Sequence, residues 1–237
     1  MTKIVCPKCG SKRIAENRWG KHLFTEKLFE AVEGGRVRIK KGKKKDSSGE
    51  YWCHKCAKNF GRAKPRYAPE SISRFKLSIS GFSSGETSVE IYPIDKVIMA
   101  VIDHDRKDVI IPNRPALWVS GKSWNAFTKK LIKDNLLLEW ARNYDDPDTL
   151  DGIQWSLEID FSLSRRISWT GSNKWPPYWN PVLRQLVRLL EKALSASDAD
   201  KVTHAWLKSC IAGLEEGRAP KQPKPVEVPD ISFDEIS

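Results

Sequence analysis

The sequence predicts an α+β protein: a small metal-binding module followed by an antiparallel sheet covered by helices. Three observations carry this. Two Cys-x-x-Cys pairs, Cys6/Cys9 and Cys53/Cys56, have the spacing of a four-thiolate metal site. Several short runs alternate apolar and polar residues and are separated by Gly/Ser turns, as hairpin strands do. Two later segments repeat apolar residues at helical spacing.

In the first pair, Cys6-Pro7-Lys8-Cys9-Gly10, the intervening backbone must fold back so that both sulfurs reach one ion. Gly10 follows at a point where such a knuckle needs positive φ. Trp52 and Phe60 flank the second pair, Cys53-His54-Lys55-Cys56, and offer apolar cover. The donor set fits structural Zn2+ in a tetrahedral shell. His54 reads as a surface residue of the second knuckle, and His22 as a spare candidate ligand.

Cys6, Pro7, Cys9, Gly10, Tyr51, Trp52, Cys53, Cys56 and Phe60 together resemble the zinc-ribbon family, over about the first quarter of the chain. The resemblance implies a metal and a fold, since ribbons serve transcription proteins, transposases, ribosomal proteins and adaptors alike. The run from Ser11 to Trp52 is longer than ribbons usually have, which implies an inserted helix. Leu23, Phe24, Leu28, Phe29 and Val32 place that helix at 22–33, ended by Gly34-Gly35. Residues 36–41 then alternate around Val37 and Ile39 as a strand. The turn 43–49 returns the chain into a second strand at 50–52, so the expectation is a hairpin with a lysine-rich tip.

Charge is unevenly spread. Net charge is +11. Residues 1–67 hold 19 Lys/Arg against 6 Asp/Glu, and residues 68–237 hold 22 against 24. A net of +13 on the metal module and −2 on the rest is the footprint of a phosphate-binding surface. A solvated basic face reads the same way in sequence. The candidate nucleic-acid contacts are Arg36, Arg38, Lys40, Lys41, Lys43, Lys44 and Lys45 around the hairpin. Lys64 and Arg66 lie in the basic linker, 61–69.

The second region begins near Ile72. Residues 74–79 and 87–92 form a hairpin around the turn 81–85, and 97–102 and 108–112 read as third and fourth strands. Residues 123–144 read as one or two helices through Trp124, Phe127, Leu131, Leu138 and Trp140. An acidic loop at 143–152 follows. Trp155, Leu157, Ile159 and Phe161 alternate in a strand at 154–161, paired with 165–170. Amphipathic helices are expected at 181–194 and 200–214, with Cys210 buried in the last. Domain bounds are therefore 1–67, 72–216 and a Pro-rich, acidic tail at 217–237, expected to be disordered when free and either inert or a short peptide ligand for another protein.

The stretch 165–179 interleaves Arg165 and Arg166 with Trp169, Trp175, Tyr178 and Trp179. It reads either as a base-stacking surface, with Arg165, Arg166 and Trp175 as contacts, or as aromatics fastening a helix to the sheet. Asp151-Gly152, Gln154-Trp155-Ser156-Leu157-Glu158, Gly171-Ser172-Asn173 and Trp179 are similar to a pattern in uncharacterised bacterial proteins, which implies no activity.

Enzymatic chemistry finds little support. Asp103-His104-Asp105 lacks a second His-Asp group and reads as turn residues. The acidic run at 145–151 lacks the Gly and Glu register of a calcium loop. No phosphate loop, dinucleotide fingerprint or nucleophile elbow occurs. The expectation is a non-enzymatic zinc-ribbon protein that binds DNA or RNA. The alternative is an interaction adaptor or inhibitor, of phage or mobile-element type, that engages a nucleic-acid-binding protein or ribonucleoprotein. With no apolar span or signal core, the chain reads as cytoplasmic, with no membrane partner.

Overall fold

The structure, a computed structural model, describes residues 4–23, 25–43, 49–61, 67–81, 85–94, 97–105, 116–148, 152–162 and 165–219. Among them the fold is α+β, with eleven strands in two mostly antiparallel sheets and four helices. No helix among them is long and apolar enough to cross a membrane.

The metal module is a four-stranded sheet of order β2-β1-β3-β4. Its elements are β1 (Ile14–Trp19), α1 (Glu26–Glu33), β2 (Val37–Lys40), β3 (Tyr51–Cys53) and β4 (Lys58–Phe60). Strand β2 pairs in parallel with β1, and α1 makes the crossover. The expected hairpin of 36–41 with 50–52 is therefore replaced: β1 lies between those two strands. The alternation of β1 is hidden because its buried positions are Ala15 and Asn17 rather than large apolar residues. Asn17 is accommodated because its amide Nδ2 donates to Gly49 O and to Asn59 Oδ1, both at 2.9 Å. Helix α1 starts later than expected because Thr25 caps it, its hydroxyl accepting from Leu28 N. Leu23, read as part of the helix, is exposed before the cap, and Phe24 lies outside the described residues.

The second sheet has seven strands in the order β8-β7-β6-β5-β10-β11-β9. Its long members are β5 (Ile72–Gly81), β6 (Gly85–Ile94), β7 (Val97–Asp105), β10 (Gln154–Phe161) and β11 (Arg165–Ser172). Their alternation buries Phe75, Leu77, Val89, Ile91, Ala100, Ile102, Leu157 and Ile159. Helices α2 (Gly121–Lys129), α3 (Trp179–Ser195) and α4 (Lys201–Gly213) cover that face. Each fully buried Leu, Ile or Val removes about 1.5–3 kcal/mol worth of apolar surface from water, so these rows dominate the stability.

Four expectations shift. The fourth strand is β8 (Ala116–Val119), while 108–112 lies outside the described residues. The one or two helices expected over 123–144 are cut short: α2 runs into a π turn at Lys130–Asp134, and Leu136 takes a left-handed conformation (φ 51). The acidic loop begins as an edge strand, β9 (Asn143–Asp145), parallel to β11. Asp103, His104 and Asp105 sit at the end of β7, paired with Ser88, Thr87 and Glu86, rather than in a turn.

The aromatic stretch of 165–179 fastens the helix to the sheet. Trp169 and Trp179 are fully buried, and Trp179 Nε1 donates to Gly217 O at 2.7 Å. Trp155 packs on Trp179 with centroids 4.4 Å apart. Gly171 makes this possible, since a Cβ there would lie 2.5 Å from the Trp155 ring. Residues 217–219, assigned to the tail by sequence, are tied to α3. Asn180 and Ala219 exchange two hydrogen bonds, and 220–237 lie outside the described residues.

Candidate metal centre and the basic face beside it

The two knuckles have matching backbones. Gly10 has φ 68 and Ala57, just after Cys56, has φ 51. Each lets the chain turn back after its second cysteine, and Gly10 N closes the first turn on Cys6 O at 2.9 Å. The four Sγ atoms lie within 4.8 Å of one another. Cys6 and Cys56 are 3.9 Å apart, Cys9 and Cys53 3.8 Å. A tetrahedron with metal–sulfur bonds of about 2.3 Å has edges of about 3.8 Å. A disulfide would need about 2.05 Å, and all four cysteines are free. The group could hold a metal ion.

The thiols also behave as one set. Burial pushes Cys6 up. Hydrogen bonding to Cys9, together with burial, pushes Cys56 up to about 12. Burial would raise Cys9 too, but thiol hydrogen bonds, chiefly from Cys56, outweigh it and bring Cys9 to about 7. Without a cation Cys6, Cys9 and Cys56 compete for protons, because adjacent thiolates repel. A bound cation removes that repulsion, so its binding releases protons. His54 is a surface residue whose Nε2 lies 2.8 Å from Gly35 O, so it ties the knuckle to the end of α1.

The centre is clamped onto the seven-stranded body. Val5 N donates to Tyr178 Oη at 2.8 Å, and that hydroxyl donates to Val5 O at 2.9 Å. Tyr144 Oη donates to Pro7 O at 3.4 Å. Burial pushes both phenols up, which keeps them protonated as donors. Cys6, Cys53 and Phe60 belong to the same apolar cluster as the body's core.

The candidate nucleic-acid contacts fall into four groups. Arg36, Lys41 and Lys43 are exposed around β2. Arg38 and Lys40, on β2 itself, are half-buried about Trp52, with Arg38 Cζ at 3.8 Å and Lys40 Nζ at 5.9 Å from the ring centroid. Lys44, Lys45, Lys64 and Arg66 lie outside the described residues. Arg165, Arg166 and Trp175 belong to the body. Arg166 is held by Asp160 in two hydrogen bonds of 2.7 and 3.0 Å, and half-buried Trp175 packs against the core. The stacking of Arg38 on Trp52 was missed in the sequence, although the period of two along β2 puts Arg38 and Lys40 on one face.

No protein-family model matches the chain, and no curated protein matches it.

Proposed function

We propose that this is a non-enzymatic protein whose zinc-ribbon module, residues 1–67, contacts the phosphates of a nucleic acid. The observation that carries the reading is the coincidence of two features in one small module. The four clustered cysteines lie there, and so does all of the chain's net positive charge. Cys6, Cys9, Cys53 and Cys56 would hold Zn2+ as a cross-link that fixes the sheet, with no open position for catalysis. Arg36 adds an exposed guanidinium, and Lys41 and Lys43, with Lys44 and Lys45, supply flexible point charges. Such charges suit a phosphate backbone better than base edges.

Titrating a labelled oligonucleotide at several salt concentrations tests this. Log affinity should fall linearly with log salt. Each of Lys40, Lys41, Lys43, Lys44 and Lys45 replaced by Gln should flatten the slope by about 0.7–0.9 if it meets a phosphate. Binding indifferent to both salt and lysine replacement would contradict the reading.

The adaptor reading is favoured by one different observation. The helix-free face of the large sheet carries Glu86, Glu90, Asp103, Glu158 and Asp160 against Arg74, Lys76 and Arg166. That face suits a basic protein partner and not a phosphate backbone. On this reading free DNA and RNA bind feebly, and a protein complex survives nuclease treatment.

A further inference from the structure

The register of the small sheet gathers an unusual set of side chains on one of its faces. Ala15 is paired with Trp52, Trp52 with Asn59, Asn17 with Arg38, and Trp19 with Lys40. Paired residues share a face, so Trp19, Trp52, Arg38, Lys40, Asn17 and Asn59 stand together. Ala15, on the strand between β2 and β3, is fully buried. Its small side chain lets Arg38 reach diagonally across β1 and lie on the Trp52 ring.

Three polar atoms of this face have no partner in the protein: Arg38 Nη1, Trp19 Nε1 and Asn17 Oδ1. They are closed from solvent as well. Asn17 is 7% exposed, and both bonds of its Nδ2 fix the amide so that Oδ1 is the atom left over. Buried polar groups are nearly always paired, so such atoms gathered on one face call for a missing partner. Two are donors and one is an acceptor, the pattern a nucleotide satisfies and a bare phosphate does not.

Resting on the nucleic-acid reading, we propose that this face takes an unpaired base, inserted between the Arg38 guanidinium and the Trp52 indole. The module's substrate is then single-stranded DNA or RNA rather than duplex. In the free protein Arg38 occupies the slot as a stand-in for the base. Both planes are suited to stacking, since bases pack on indoles and on guanidinium planes alike. Parting them leaves the guanidinium stacked on one side of the base with Nη1 directed at the strand's own phosphate or sugar oxygens, while Trp19 Nε1 donates to a base oxygen and Asn17 Oδ1 accepts from a base amino group. Lys40, at the rim of the same ring, neutralises the adjoining phosphate. A base already paired and stacked in a duplex cannot enter such a slot without being unstacked.

The test compares single-stranded and duplex oligonucleotides of equal length on the full chain with its metal bound. Single strands should bind at least about fivefold more tightly, and Trp52→Leu should remove most of that margin while Trp52→Phe keeps it. Arg38→Gln, on an edge strand, gives the same readout should Trp52→Leu lose metal. Equal affinity for single strand and duplex overturns the inference. So does a single-strand margin untouched by Arg38→Gln, even where the lysine replacements still flatten the salt slope and leave the phosphate reading standing. Absence of binding to either form sinks both.

Discussion

The metal module and the body are held together by different means. The body buries row upon row of Ile, Leu, Val and Trp between a seven-stranded sheet and three helices. The module buries few apolar side chains of its own, among them Ala15, Leu28, Val37 and Phe60. A segment of that size cannot offset its chain entropy with so small a core, and a metal held by the four cysteines would stand in for it. The difference teaches where the chain is vulnerable: the body to cavities, the module to the loss of one ligand. The seam of Val5, Pro7, Tyr144 and Tyr178 decides whether damage stays where it begins.

Metal removal should have the largest effect. Structural zinc contributes roughly 10–16 kcal/mol to the folding of small zinc modules. A chelator, or Cys53→Ser, should therefore melt the module outright, seen as loss of protection from amide hydrogen exchange in β1, β3 and β4. The body should keep a cooperative thermal transition at a lower temperature. A body that unfolds completely with the metal would erase the distinction between the two regions.

A cavity in the body comes next. Trp179→Ala removes a fully buried ring, its contact with Trp155 and its bond to Gly217 O, and should lower stability by about 3–5 kcal/mol in denaturant unfolding. Trp175→Ala, at a half-buried position, should cost less. Nucleic-acid affinity should be unchanged by either replacement once the protein is folded, and a change would return these rings to the binding surface.

Legibility in the sequence followed how locally each feature is specified. The cysteine spacing, the positive φ at Gly10, the long strands of the body and both final helices are local patterns, and all could be read. The parallel pairing of β1 with β2 could not. It depends on Ala15 and Asn17, whose burial is set by partners 21 and more residues away rather than by their own hydrophobicity. The end of α2 was hidden for a related reason. Asn135, buried and bonded to Gln185 of α3, stops a segment whose apolar pattern runs on. The stack of Arg38 on Trp52 spans an intervening strand, so it was invisible until that strand was placed.

Loosening the seam should have a smaller effect. Tyr178→Phe keeps the ring but leaves Val5 N and O without their bridge, at a cost of about 1–3 kcal/mol. Calorimetry should then separate one thermal transition into two, the module melting first. A single unsplit transition would mean that apolar contact through Cys6 and Phe60 is enough to couple the regions.

The smallest effect is on pH. Hydrogen bonds from Arg166, with burial opposing them, hold Asp160 below the usual carboxylate range, and Arg74 adds to the lowering. A depressed folded pKa gives stability that is present above the unfolded value and is lost as pH falls through the folded one. Asp160→Asn should therefore flatten the acid side of the stability profile below about pH 4, by up to about 1 kcal/mol. The metal module should respond earlier on acidification, because its thiolates must take up protons as metal leaves.

Cys6, Cys9, Cys53 and Cys56 should form one structural zinc site. Elemental analysis of the purified chain, with a thiol count before and after chelation, tests it most directly. One zinc per chain is expected. Four thiols should be shielded from alkylation while the metal is bound and should become reactive once it is removed, with Cys210 shielded by burial throughout. Less than about half an equivalent of zinc in fully reduced protein, or thiols equally reactive with and without chelator, would contradict it.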